Sequence, residues 1–202
     1  TQGEINLCGH ATLAAAHVIF EYLDYPEATI HFDTRFVGPL TVSRNGEWLT
    51  LDFPAWKTEP VVPPALLLEA LGITDYKEAR VARDYLIVLE NQQQVEALRP
   101  DIHAMIPLGK MVSVTAKGEG TYDFVSRFFC PGEAVAEDPV TGSAHSMLIP
   151  YWAEKLSKTH MLAHQGVERG GELRCQFAGD RVHIGGQATT YLIGKVQIGR
   201  AS

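Results

Sequence analysis

The stretch "EDPVTGSAHSMLIPYW", residues 137–152, decides how the rest of this chain is read. Two carboxylates and a proline lead into a Thr-Gly-Ser turn, and an apolar run follows. Small hydroxyl residues just ahead of an apolar run mark a helix start. The pattern predicts a helix over residues 143–156. Pro150 is expected to kink or shorten it, because an interior proline removes one helical hydrogen bond. A helix start carries unsatisfied N–H groups and a partial positive charge, so it can hold a carboxylate or an oxyanion. Gly142 lets a ligand approach that backbone closely.

A second stretch, "CGHATLAAAH" at residues 8–17, has the same grammar: a glycine, a polar residue, an alanine, then an apolar helix. A short strand over "EINL" and a helix over residues 11–22 are expected. That helix is nearly apolar all round, so other structure should wrap it. The two stretches form a faint internal repeat, which predicts two similar halves, each a curved sheet around one buried helix. If the starts at Gly9-His10 and Gly142-Ser143 face each other, they hold a small acid from two sides.

Between and beyond these stretches, alternating apolar residues predict strands over 28–34 and 38–54, the latter with a hairpin turn at Asn45-Gly46. "PPALLLEALGI" reads as a helix opened by proline and stopped at Gly72. Residues 79–91 read as one strand, and 93–108 as a helix ended by Pro100. Residues 111–118 and 122–131 are expected to be strands, and 172–199 a strand meander with glycine turns.

The totals exclude several classes. Net charge is −7, from 17 basic and 24 acidic residues, which argues against nucleic-acid or anionic-membrane partners. Any anionic substrate must therefore be attracted locally. No apolar run reaches membrane-spanning length and no signal-peptide pattern opens the chain. Cys8, Cys130 and Cys175 form no CxxC pair, which indicates a reducing compartment without a disulfide framework. A cytoplasmic location is expected. The chain starts at Thr1 and enters a strand-like stretch at once, so an N-terminal piece is expected to be missing.

Each candidate residue has a functional and a bland reading. His10 is a proton donor or acceptor at a helix start, or it caps its own turn. Asp138 orients a substrate or moves a proton, or it merely starts an Asp-Pro turn. Glu137 is read as pointing the other way, toward a basic partner. Ser143 pairs poorly with His145 as a nucleophile, because residues two apart on a helix do not face each other, and the GxSxG elbow is absent. Ser143 is read as an N-cap and hydrogen-bond donor, with Thr141 sharing that job, so a serine hydrolase is not expected. Cys8, at a helix start, is a base or nucleophile with lowered pKa, or a small buried hydrophobe. His160 and His164 could share a helix face, but nothing with zinc-like spacing accompanies them. No metal site is expected.

Together, "LCGHATLAAAH" and "EDPVTGSAHSMLIPYW" resemble the phenazine-biosynthesis-like (PhzF) isomerase family. "HQGVERGGELRC" and "GDRVHIGGQAT" fit the same pattern in the same order, so the resemblance spans essentially the whole chain. It implies an α+β fold of diaminopimelate-epimerase type: two pseudo-symmetric lobes, each a barrel-like sheet around a central helix, with the site between them. The lobes are placed at residues 1–57, joined by a C-terminal strand at 188–202, and at 58–187. The resemblance further implies a cofactor-independent isomerase of a small carboxylic acid, and a homodimer. It makes His10 and Asp138 catalytic, and Gly9, Thr141, Gly142 and Ser143 substrate-binding. Related racemases carry a cysteine near the place of Cys8 and a second in the other lobe, where this chain has Asp138. The family's main acid/base is a glutamate in a Ser-Glu-Thr-like signature ahead of the first motif, and these 202 residues contain no such signature. Two alternatives stand beside the isomerase: a Cys8-dependent racemase or epimerase, and a non-catalytic binding protein on the same scaffold.

Overall fold

The computed structural model describes residues 5–196. Helix α1 (Gly9–Tyr22) leads to strands β1 (Thr29–Phe32), β2 (Leu40–Asn45), β3 (Trp48–Pro54) and the short β4 (Glu59–Pro60). Helix α2 (Ala65–Leu71), strands β5 (Glu78–Val81) and β6 (Tyr85–Val88), and helix α3 (Gln92–Ala97) follow. A 3-10 helix (His103–Leu108), β7 (Val112–Lys117), β8 (Phe124–Phe129) and the two-residue β9 (Glu137–Asp138) precede helix α4 (Gly142–Leu156). Strands β10 (His160–Gly166), β11 (Gly170–Ala178) and β12 (Arg181–Gly186) complete the described elements.

The strands form one sheet in the order β1-β2-β3-β12-β11-β10-β8-β7-β6-β5-β4, with β9 paired to β8. Neighbours are antiparallel except at β6–β7 and β8–β10. The long-range pairing of β12 with β3, from Arg181↔Pro54 to Gly186↔Leu49, joins the two ends of the chain.

Side-chain alternation divides the interior into two apolar clusters. Leu40 and Val42 of β2, Leu49, Leu51 and Phe53 of β3, and Val182 and Ile184 of β12 face α1 and α4. In β8, Phe124 and Phe128 face that same cluster, while Val125 and Phe129 face a second one beneath α2, α3 and the 3-10 helix. A strand covered on both faces needs apolar residues at successive positions, which accounts for the fully buried FVSRFF of β8.

Several local expectations are corrected. The β2–β3 hairpin pairs Asn45 with Trp48, so its turn is Gly46-Glu47, one residue later than expected. Gly46 takes φ +61° there, a conformation that favours glycine. Residues 79–91 are not one strand: β5 and β6 pair antiparallel around Ala82-Arg83-Asp84. The helix expected to end at Pro100 is α3, which stops at Ala97, and a separate 3-10 helix follows that proline. His160 and His164 lie on strand β10, not on a helix. Residues 5–7 and 187–196 carry no strand; the other residues of the expected "EINL" strand and of the C-terminal stretch lie outside the described residues.

Helix α4 runs through Pro150 to Leu156 without the expected early stop. Proline has no N–H for the Ser146 carbonyl, and that carbonyl accepts instead from the Trp56 N–H at 2.8 Å. The lost helical bond is replaced by one from the β3–β4 connection, which also ties that connection to α4.

The two glycine-led helices differ in cover. Most of α4 is buried, whereas only Gly9, Ala16 and Phe20 of α1 are. The expectation that α1 is wrapped all round is not met among the described residues: Ala11, Ala14, Ala15, Val18 and Tyr22 are exposed. The C-terminal stretch touches α1 through Thr190, whose Oγ1 bonds His17 Nε2 at 2.9 Å and Tyr22 Oη at 2.7 Å.

Candidate active site

The starts of α1 and α4 meet backbone to backbone. A Cβ on Gly142 would stand 3.0 Å from the Gly9 Cα, a separation a real side chain does not tolerate easily. A Cβ on Gly9 would come closer still, 2.8 Å from the Gly142 Cα, so glycine is required at position 9 and the fit is tight at 142. Two electropositive helix ends are brought together, and neither has a side-chain N-cap bond.

Around this junction stand the residues singled out from the sequence. Cys8, half-buried, occupies the N-cap position of α1, and His10, exposed, is the second residue of the helix. Cys8 Sγ lies 3.5 Å from His10 Nε2. Asp138 lies on β9 across from Phe128. Its Oδ2 accepts from Thr141 Oγ1 at 2.8 Å, and its Oδ1 takes a longer bond from the Val140 N–H at 3.4 Å. Thr141, not Ser143, is the N-cap residue of α4, and its hydroxyl is committed to Asp138 rather than to the helix. Ser143 lies one residue inside the helix, nearly buried, and its Oγ accepts from Arg83 Nη2 at 3.1 Å.

The Asp138–Thr141 turn is held by a residue the sequence did not announce. Gln165 of β10, fully buried, accepts from the Thr141 N–H at 2.9 Å through Oε1. Its Nε2 donates to the Asp138 carbonyl at 2.8 Å and lies 2.9 Å from Thr141 Oγ1. One amide thus fixes the main chain on both sides of Pro139.

Glu137 does point away, as expected. Its carboxylate takes a two-pronged bond from Arg127, Oε1 from Nε at 2.7 Å and Oε2 from Nη2 at 2.8 Å. Arg127 Nη1 also donates to the Val95 and Leu98 carbonyls. Glu137 therefore anchors β9 to the second apolar cluster.

His145 is fully buried one turn into α4. Burial pushes its pKa down to about 4, partly opposed by the bond to Thr141 O, so the ring is neutral near neutral pH. Its Nδ1 lies 2.9 Å from that carbonyl and therefore carries the proton, while Nε2 has no partner among the described residues. His145 is thus directed to Thr141 and Ser143 to Arg83, so they form no nucleophile–base pair.

Two further groups at this junction were missed from sequence. Cys130 follows β8, half-buried. Burial, with the nearby Asp138 and Asp84 carboxylates, raises its pKa to about 12, so it stays a thiol. Arg83 and Asp84 form the turn between β5 and β6, and Arg83 reaches α4 through Ser143. Nothing local in "VARDY" signals this, because the contact to Ser143 spans sixty residues. Two clefts, of about 730 and 620 Å³, lie elsewhere: one beside Lys57, Tyr151 and Asp180, the other beside Trp48, His160 and Arg174. Among the described residues no helix is long and apolar enough to cross a membrane.

Comparison with known proteins accords with this geometry. The family described as "Phenazine biosynthesis-like protein" matches residues 1–194. An "Uncharacterized isomerase PA2770" of Pseudomonas aeruginosa is 46% identical over 198 residues, covering 98% of this chain and 75% of that protein. "Phenazine biosynthesis-like domain-containing protein 2" of Mus musculus is 38% identical, over 96% of this chain and 74% of its own length. The crystal structure of a PhzF-family protein from Enterococcus faecalis superposes with a TM-score of 0.89 at 43% identity, covering 96% of this chain and 75% of that one. A "Predicted Epimerase PA4716" from Pseudomonas aeruginosa shares the fold, with a TM-score of 0.67 at 22% identity over 92% of this chain and 73% of its own. The fold is the α+β, diaminopimelate-epimerase-like one expected from the two motifs.

Proposed function

Because the chain belongs to the phenazine biosynthesis-like (PhzC/PhzF) family, we propose that it serves a cofactor-independent isomerisation of a small carboxylic acid. A proton leaves one carbon, the electron pair passes into an enolate-like system, and a proton is returned at another carbon as the double bond shifts. In the family pattern the main proton-accepting group is a glutamate ahead of the first motif. The roles proposed for these 202 residues are binding, orientation and assistance to proton transfer.

The observation that carries this reading is the Gly9–Gly142 contact, which puts two uncapped helix starts side by side. N–H groups fixed in this way stabilise charge that develops in a transition state. His10 and Asp138 flank the contact and are the catalytic residues of the proposal. Gly9, Gly142 and Ser143 bind the substrate, while Thr141, expected to share that role, shapes the turn instead because its hydroxyl, N–H and carbonyl are all bonded within the protein. Thr141 holds the Asp138 carboxylate in place, and Gln165 holds the Asp138 main chain. Cytoplasmic location and a homodimer belong to the same proposal.

The test is proton exchange. The full gene product is incubated in heavy water with a panel of small unsaturated carboxylic acids, and deuterium at carbon is followed by NMR. Incorporation into one acid that is lost in Asp138→Ala, with an unchanged circular dichroism spectrum, is the expected result. Unchanged exchange in that variant removes Asp138 from the mechanism.

The 3.5 Å approach of Cys8 Sγ to His10 Nε2 favours a second reading, a racemase or epimerase with Cys8 as one base. A two-thiol exchange needs each thiol to act as base in one direction. Cys130, the thiol beside Asp138, is poorly suited to that with its pKa near 12. The second reading predicts inactivation by iodoacetamide that substrate prevents, and retention of activity in Cys8→Ser excludes it.

A further inference from the structure

Arg83 is held with unusual completeness for a residue in a two-strand turn. Its Nε donates to Asp84 Oδ2 at 2.8 Å, and Nη2 donates to the same oxygen. Asp84 is nearly buried, so the pair is shielded from solvent on that side. The guanidinium carbon stands 4.8 Å from the centre of the Trp56 ring, a stacking contact for a planar cation. Trp56 is itself tied to α4 by its N–H bond to the Ser146 carbonyl. Lys110 Nζ donates to the Ala82 and Arg83 carbonyls at 3.2 and 2.7 Å, which locks the turn from outside.

What this bracing leaves free is specific. Nε and Nη2 are occupied by Asp84 and Ser143, while Nη1, with two N–H groups, has no protein partner among the described residues. The Ser143 Oγ accepts from Arg83, so its own O–H is free to donate elsewhere. Arg83 bonds Ser143 and Asp138 bonds Thr141, so the β5–β6 turn and the Asp138 turn both abut the start of α4. A guanidinium N–H pair beside a hydroxyl donor is the chemistry that holds a carboxylate, one oxygen to each.

We propose that Arg83 and Ser143 together form the seat for the substrate carboxylate, with Asp84 and Trp56 as positioning residues that orient the guanidinium. The inference rests on the isomerase reading for the identity of its ligand, but it concerns recognition and not proton transfer. Asp84 offsets the charge of Arg83, so the seat selects by directed hydrogen bonds more than by net positive charge. It is also why a −7 chain can take an anion at this point.

The test uses benzoate as a planar carboxylate probe and benzamide as its uncharged analogue, with the full gene product and binding followed by calorimetry or ligand-observed NMR. Benzoate is expected to bind at millimolar concentration and benzamide much more weakly. Arg83→Met should reduce benzoate affinity by about tenfold or more, the worth of one charge-assisted hydrogen bond, and erase the preference over benzamide. Arg83→Lys keeps a cation without the fork and should retain only part of the preference, which keeps the test usable if the methionine variant unfolds. Absence of benzoate binding by the unmodified protein overturns the proposal. So does a preference left within twofold in both folded variants. Arg83-dependent benzoate binding with no carbon exchange in any acid sinks the isomerase reading and leaves this seat standing. Exchange that persists with unchanged KM in Arg83→Met does the reverse.

Discussion

A Cβ placed on Gly9 would lie 2.8 Å from the Gly142 Cα, so the first residues of α1 and α4 touch through their main chains. Residues 133 positions apart are thereby held at a distance only glycine permits. His10, Cys8, Thr141 and Ser143 are each within two residues of this contact, so its spacing sets theirs.

Gly9→Ala is expected to separate the two helix starts. The neighbour is backbone and cannot swing aside, so the variant should lose roughly 1–3 kcal/mol of stability, in the range of overpacking. The urea midpoint should fall. Gly194→Ala, at a glycine with open space around it, should leave the midpoint unchanged. Equal midpoints for Gly9→Ala and the parent protein would contradict the close contact.

Stability should fall on mild acidification because of His145. In the unfolded chain an ordinary imidazole takes a proton near pH 6.5, whereas the buried ring resists until about 4. The unfolded state therefore binds more protons between those values, and stability drops as pH falls through that window. The loss is on the order of 3 kcal/mol and levels off below it. Urea midpoints measured from neutrality to about pH 4 should show this slope, and His145→Gln should flatten it.

Removing the Glu137 carboxylate should be costly, because it is the partner of Arg127. Arg127 is nearly buried and would keep its charge with only carbonyl partners. Glu137→Ala is expected to destabilise by about 2–4 kcal/mol, while replacing both partners with apolar residues should cost less. Calorimetric melting of the single and double variants decides it: a double variant less stable than the single one would contradict the argument.

The three cysteines should differ sharply in reactivity. Cys175 is buried, Cys130 is held as a thiol with a pKa near 12, and Cys8 is half-buried at a helix start. Limiting iodoacetamide near neutral pH should label Cys8 first, as read by peptide mass mapping. First labelling at Cys130 would mean that its surroundings differ from those described.

Much of this architecture was legible because its causes are local. Apolar alternation gave β2 and β3, and glycine after a proline-led apolar run gave α2 and its stop at Gly72, where φ is +69°. The two glycine-led helix starts were visible as motifs, and so was the turning away of Glu137. The misreadings share one source. Residues 79–91 looked like one strand because a tight turn at Ala82-Arg83-Asp84 has neither glycine nor proline to mark it. Pro150 looked like a helix end because the bond that replaces its missing N–H comes from Trp56, about ninety residues earlier.

The sequence by itself therefore determined most of the helices and strands, and which residue types stand at the two helix starts. Only the tertiary structure decided which groups meet there: Gly9 against Gly142, Gln165 across the Asp138 turn, Arg83 on Ser143, Cys130 beside Asp138. Hydrogen bonding along a helix and side-chain alternation along a strand are set by near neighbours and are written in the order of residues. Contacts across the sheet depend on strand order and register, which the burial of the whole apolar interior fixes at once and no short stretch encodes.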